Sequence, residues 1–330
     1  MISSANQKSL KVNLCEWMSE LPLQITRQAI NTLAIPGSHD SSTYSINIAS
    51  SISPDSPLYC MKKYLPDYFL SRLSYPWSVT QSLSLIEQLQ IGIRYFDLRI
   101  CTKKSKLKSL EGSDKFYLVH GQYARPIGEE LQNIREFIQK YSKEVIILDI
   151  NHFYCATSAK QLRHFEELVI SLIGSFMLPQ DKKIPTLDEI WATDYRIICI
   201  SCHFKEYQKL NKKFWPSFRI VSFWPRSTDP EYMVYFLNAH FGPHFCKDPS
   251  KFYVYQTVLT PNKLFMIMHP FGSVKRIAEV AAPYIKDWIN TPVRQAGLNG
   301  LSIVVIDFCS MFYASYCEDI IKVNYKTWYS

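Results

Sequence analysis

Glycine is scarce, at 10 of 330 residues, and no Gly-rich nucleotide-binding fingerprint follows any of the apolar runs. Nothing in the sequence is therefore built to cradle a dinucleotide's phosphates. The nine cysteines are scattered and do not supply the paired C-x-x-C motifs of a zinc ribbon, so most are expected to be reduced and packed. No window approaches the roughly 18–20 apolar residues of a membrane helix. Residues 1–14 lack the apolar core of a secretory leader. These absences make a cytosolic protein the expectation, one that reaches any lipid from the membrane surface. There is no low-complexity tract, and 47% hydrophobic against 20% charged residues describes an ordinary globular chain. No linker interrupts it, so residues 1–330 read as a single domain, and a monomer is expected.

Acidic residues are outnumbered, 29 against 37 Lys and Arg, for a formal charge of +8. Such a surface attracts anions, including phospholipid headgroups. The basic residues are dispersed, however. Clusters at 103–108, 182–183 and 209–213 fall in stretches that read as loops, where a solvated surface explains them. No recognition motif accompanies them, and a nucleic-acid partner is not expected.

What is present is an alternation. Short, nearly continuous apolar runs at 32–35, 95–100, 116–119, 145–150, 196–200, 218–223, 252–258 and 302–308 read as buried parallel strands. Between them, helical periodicity marks 83–89, 127–141, 159–173, 187–191, 230–241 and 274–289. The expected fold class is α/β, a (β/α)8 TIM-type barrel, distorted or incompletely closed. The Ser-, Pro- and Tyr-rich stretch 50–76 reads as an inserted loop or cap near the mouth, and 204–216 as a second loop.

In a barrel the active site lies at the C-terminal ends of the strands, and four runs finish in ionisable residues. The run 33–41 turns through Pro36-Gly37 and delivers His39 and Asp40. In the run 92–99, Asp97 and Arg99 share one face of an extended strand. The run 117–121 ends in His120, and 303–308 carries Asp307. Each alone has a bland reading as a turn, a rim residue or a structural ion pair. Together they require one mutually satisfied cluster, because a buried charge is costly unless paired.

These same segments carry a resemblance. AIPGSHDSS at 34–42, GIRYFDLRI at 92–100, VHG at 119–121, VIILDINHFY at 145–154 and VLTP at 258–261 resemble the phosphatidylinositol-specific phospholipase C X-domain family. The likeness is greatest to eukaryotic X-domain proteins without accessory domains, and it runs through most of the chain. It implies a phosphoric diester hydrolase that cleaves a phosphoinositide to diacylglycerol and a cyclic inositol phosphate. His39 would be general base, oriented by Asp307, and His120 general acid, with Asp40 as its carboxylate. Two imidazoles exchange those roles near neutral pH without large pKa shifts.

The resemblance also implies how phosphate charge is met. Calcium-dependent members carry an acid two places after the first acid of the second strand and Asn after the first catalytic His, whereas calcium-independent members carry Arg and Asp. Arg99 and Asp40 match the latter, so no metal cofactor is expected. Ca2+ is the alternative, since Asp97, Asp149 and Asn151 offer oxygen ligands. Asp97, His203 and Gln256 are expected to bind substrate, while His152 reads equally as a hydrogen bond across the barrel top.

Two other readings compete: a catalytically silent inositol-lipid-binding barrel, and a metal-dependent glycerophosphodiesterase, which would want an acid where Arg99 stands. No pleckstrin-homology, EF-hand or C2 segment is recognisable. Peripheral membrane contact is therefore expected at the aromatic-rich rim, around 64–69, 75–77 and 214–215.

Overall fold

The computed structural model describes residues 12–103, 115–155, 158–202, 211–242 and 245–329. Its strands are β1 (Ile35–Ser38), β2 (Tyr95–Lys103), β3 (Lys115–Val119), β4 (Tyr123–Pro126), β5 (Ile146–Tyr154), β6 (Ile197–Ser201), β7 (Phe214–Pro216), β8 (Ile220–Phe223), β9 (Phe252–Gln256) and β10 (Ile303–Ile306). The helices are α1 (Leu23–Thr26), α2 (Asp67–Ser78), α3 (Leu85–Gln90), α4 (Ile127–Lys140), α5 (Ala159–Ile173), α6 (Leu187–Trp191), α7 (Pro230–Ala239), α8 (Lys263–Met268), α9 (Val274–Asn290) and α10 (Tyr316–Tyr329).

Eight strands form one parallel sheet in the order β7-β6-β5-β2-β1-β10-β9-β8. It curls as an incompletely closed barrel: among the described residues β7 and β8 do not pair, although they follow one another in the chain. Pro216 ends β7 without an N–H to offer a further neighbour. The strand interiors are apolar on both faces because helices cover the outside. The burial of β6 and β10 is complete along their length, as parallel sheets require.

The eight parallel strands are not the eight read from the sequence. The run at 116–119 forms β3, which pairs antiparallel with the far end of β2 and then with β4. The missing barrel strand is β7, only three residues long, inside the stretch read as a loop. The stretch 50–76 likewise holds most of α2, which runs through Pro76. Pro lowers helical expectation, but the helix buries Leu70, Ser71, Ser74 and Ser78, with Ser71 donating to the Ser50 carbonyl and Ser74 and Ser78 set against Gly121. Helices α3, α4, α5, α6, α7 and α9 match their periodic segments, whereas α1, α8 and α10 were not read from the sequence; α4, for instance, buries Ile127, Leu131, Ile134, Phe137 and Ile138 along one stripe. Capping boxes at Ser84/Glu87 and Thr186/Glu189 start α3 and α6.

All nine cysteines are free, with four of them buried. Cys199 and Cys202 have C-x-x-C spacing but fall on opposite faces of an extended segment, Cys199 in the core and Cys202 against a cavity.

The opposite end of the barrel is closed by a buried ion pair. Arg94, just before β2, reaches Glu144, just before β5, with Nη2 at 2.7 Å from Oε2 and Nε donating to the same oxygen at 2.8 Å. The remaining guanidinium N–H groups donate to the carbonyls of Leu89, Ile93 and Cys15. Glu144 in turn accepts from the Ser19 amide, which ties the N-terminal segment across the barrel floor. Removing one partner strands a buried charge, so Arg94→Ala is expected to lower unfolding free energy by about 3–5 kcal/mol. Urea denaturation checks this; a loss near zero would mean that water reaches the pair.

Candidate active site

Parallel strands aim their C-terminal ends at one face, and there β1, β2 and β10 deliver His39-Asp40, Asp97 with Arg99, and Asp307. The turn after β1 is over-determined. Asp40 sits in the left-handed region at φ 41°, its N–H donates to Asp97 Oδ2 at 3.2 Å, and the Ser41 N–H donates to the Asp97 carbonyl. Gln81 Nε2 bridges the carbonyls of His39 and Ile306, and Thr80 Oγ1 donates to the carbonyls of His39 and Asp40. Thr80 and Gln81 precede α3 in no apolar period, and no sequence signal marks them.

His39 Nδ1 lies 2.7 Å from Asp307 Oδ1. Its Nε2 is 3.3 Å from Asp40 Oδ2 and 3.9 Å from Asp97 Oδ2, out of hydrogen-bond line with either, so this nitrogen can accept a proton. His120 does not follow a barrel strand as expected; it stands on the turn of the β3–β4 hairpin, folded back over the top. There Nδ1–H donates to the Ser78 carbonyl at 2.8 Å, and Nε2 is 3.2 Å from Asp40 Oδ2. The Ser78 carbonyl thus fixes the ring through Nδ1–H, and Nε2 is left turned toward Asp40 without a hydrogen bond to it. The two imidazole centroids are 6.4 Å apart.

Arg99 Nε is 2.6 Å from Asp40 Oδ1. A bulge between Leu98 and Arg99 in the β2–β5 pairing skips Asn151 and sets Arg99 opposite His152, which re-aims the guanidinium. Asn151 Nδ2 donates to Asp97 Oδ1.

Burial disfavours a charged His39, yet the carboxylates of Asp40, Asp307 and Asp97 outweigh it and push its pKa from 6.5 to about 9. Burial would raise the Asp40 carboxyl, but Arg99, His120 and His39 overcome this and hold it at about 2. Asp149 is pushed up to about 7 by burial and then by Asp97, while it accepts from the Tyr95 hydroxyl at 2.6 Å. Raising the folded pKa of His39 makes its proton stabilising below about pH 6.5, a contribution lost as pH rises through about 9.

Two cavities meet at Arg99. One, of about 670 Å³, has His39, His120, Arg99 and Asp307 on one wall and Leu58, Trp77, Leu259, Met266 and Val274 among the others. The second, of about 560 Å³, is polar and lies by the β7–β8 opening; Asp97, Asn151, His152, Ser222, Arg226 and Gln256 line it. Gln256 donates to Ser222 Oγ at 2.7 Å. His203 lies outside the described residues. Tyr154 and Asp55 line the first cavity and were not anticipated.

His39, Asp40 and Asp97 each bring a donor atom within 4.8 Å of the others, but the set does not fit Ca2+, which takes six to eight oxygens. Asp97 is engaged by Asn151 and by the Asp40 amide, Asp149 is engaged by the Tyr95 hydroxyl, and the fixed cation beside Asp40 is Arg99.

The aromatic rim is partly where expected. Tyr64 and Tyr68 are exposed and Trp77 lines the apolar cleft. Phe214 and Trp215, by contrast, are fully buried; as β7 residues they face the core and cannot touch a membrane. The sequence reading missed α8 and the turn after it, where Leu264, Ile267, Met268 and Phe271 are exposed, Phe271 at 89%. Among the described residues no helix is long and apolar enough to cross a membrane.

The His39 imidazole is expected to titrate near pH 9 by NMR in the wild type and lower in Asp307→Asn; a wild-type value near 6.5 would contradict the carboxylate arrangement.

No protein-family model matches the chain. Curated relatives do: mouse PI-PLC X domain-containing protein 3 is 32% identical over 98% of this chain and 97% of its own length, mouse PI-PLC X domain-containing protein 2 is 28% identical over 97% and 91%, and human PI-PLC X domain-containing protein 1 is 28% identical over 94% and 92%. Among solved structures, the phosphatidylinositol-specific phospholipase C of Listeria monocytogenes superposes with a TM-score of 0.65 at 20% identity, covering 95% of this chain and 99% of that one. The Staphylococcus aureus enzyme does so with 0.65 at 15% identity, covering 94% and 98%. These two share the fold with this chain. At the identity and coverage of the mouse protein 3 match, the chain belongs to the PI-PLC X domain-containing protein family.

Proposed function

We propose that this protein is a metal-independent phosphodiesterase that cleaves phosphatidylinositol or a phosphoinositide to diacylglycerol and a cyclic inositol phosphate. The observation that carries this reading is the placement of two imidazoles and a guanidinium around one buried carboxylate, where an apolar cleft meets a polar cavity. An amphiphilic diester suits that junction. Its headgroup would enter the polar cavity, where Asp97, Gln256 and Ser222 offer hydrogen bonds to ring hydroxyls, and its glycerol and acyl chains would leave along the apolar walls.

In this reading the neutral form of His39, whose population grows as pH rises toward its pKa of about 9, takes the proton of the inositol 2-hydroxyl at Nε2 as that oxygen attacks phosphorus, and Asp307 orients the ring through Nδ1. Arg99 meets the charge that develops on the phosphoryl oxygens with a planar, permanently cationic donor set. His120 gives its proton to the departing glycerol oxygen. When water opens the cyclic phosphate, the two rings exchange roles.

Leu73 of α2 and Met266 and Ile267 of α8 line the cleft beside Lys263, and Leu264, Met268 and Phe271 are exposed next to them, a composition that suits contact with an anionic lipid surface. Membrane binding is a property of the S. aureus enzyme of this fold.

His39→Ala and His120→Ala should each lower turnover about 10²–10⁴-fold, and Arg99→Ala should do likewise; each also takes a partner from the buried Asp40, so the melting temperature is expected to fall, and turnover is compared at a temperature where circular dichroism shows every variant folded. Activity retained by either His variant, or a strict demand for added Ca2+ by the wild type, would overturn the mechanism. A silent protein that still binds inositol-lipid vesicles would favour the binding-module reading.

A further inference from the structure

The inserted segment before α3 does more than cover the mouth. Its backbone joins the hairpin that carries His120: Ile52 bridges Gln122 in antiparallel fashion, the Ser53 N–H donates to the Gly121 carbonyl at 3.1 Å and the Tyr123 N–H to the Ser51 carbonyl at 3.0 Å. The end of α2 supplies the Ser78 carbonyl that accepts from His120 Nδ1. Lys62 and Asp67 hold the backbone of Ile52 from the segment's own side, while Asp55 reaches across to the hairpin. Asp55 Oδ2 accepts the Gly121 N–H at 2.6 Å, and Ser53 Oγ donates to its other oxygen.

That bond falls on the residue next to His120 at a constrained turn. Gly121 has φ +70°, and a Cβ there would meet Ser78 Oγ at 2.9 Å, so the backbone passes α2 closely and has one way to sit. Amide bonds to a carboxylate are roughly twice as strong as neutral ones. Asp55 accepts the Gly121 N–H on one oxygen and the Ser53 hydroxyl on the other; Arg99, further off across the cleft, feels its charge without pairing with it.

We propose that Asp55 is a positioning residue for the general acid: by holding the Gly121 amide it fixes the His120 ring with Nδ1 on Ser78 and Nε2 turned to Asp40 and the leaving oxygen. The proposal rests on the reading of His120 as proton donor. It assigns Asp55 no contact with substrate.

Two substrates separate this role from a general loss of structure. From phosphatidylinositol the diacylglycerol departs as an alkoxide and needs a proton; from an inositol phosphodiester of p-nitrophenol the departing group is a stabilised aryl oxide and does not. Asp55→Ala should slow the lipid about 10- to 100-fold and the aryl ester by about twofold or less, with His39→Ala disabling both. Asp55→Asn, which keeps an acceptor for the Gly121 amide, should recover most of the lipid rate. Equal losses on both substrates, or none on either, would overturn the proposal. A second readout does not depend on turnover: the His120 Nδ1–H resonance should be protected from exchange in the wild type and lose at least about tenfold in protection in Asp55→Ala, while the His39 Nδ1–H resonance stays unchanged. Equal protection of His120 in both proteins would also overturn it. If the wild type turned over neither substrate, the phosphodiesterase reading would fall, and the exchange result alone would decide whether Asp55 positions His120.

Discussion

One buried carboxylate organises the top of this barrel. Asp40 is enclosed, held in a left-handed turn and kept ionised. An isolated anion there would cost several kcal/mol, so the Arg99 guanidinium from β2 and two imidazoles, His120 from the hairpin and His39 from the same turn, converge on it. In the proposed reaction the same convergence supplies an acid, a base and an anion-binding group within one small volume. Structural need and chemical capacity are here the same set of contacts, and Asp307 completes it by orienting His39 from β10.

What surrounds that cluster is asymmetric. On one side the wall is apolar and continues outward to exposed Leu, Ile, Met and Phe residues of α8 and its following turn. On the other it is polar and opens where β7 and β8 fail to pair. An incompletely closed barrel gives the polar cavity its side opening, while the inserted segment with α2 builds the apolar wall. A soluble substrate would have little use for exposed apolar side chains at the mouth, whereas a lipid embedded in a surface would meet them first.

Much of this was legible in the chain because strand ends interrupt apolar runs with charge. His39, Asp40, Asp97, Arg99 and Asp307 follow or end such runs, and the fold brings them together. His120 was found by the same signal for a partly different reason: its run is a strand, but an antiparallel one, and periodicity cannot tell direction. The strand β7 was too short to register, and α2 was hidden by its Pro and Ser content. Phe214 and Trp215 read as rim aromatics because composition does not reveal which way a three-residue strand faces. Thr80, Gln81 and Asp55 act through backbone groups brought near only by the tertiary fold, and no local pattern announces them.

The most direct test of the proposed chemistry is phosphorus NMR of the purified protein with phosphatidylinositol vesicles in EDTA, beside His39→Ala. The proposed reaction predicts a cyclic inositol phosphate signal in the wild type alone. A wild type that stays silent in EDTA and also with added Ca2+ would contradict it, and silence relieved by Ca2+ would contradict the part assigned to Arg99.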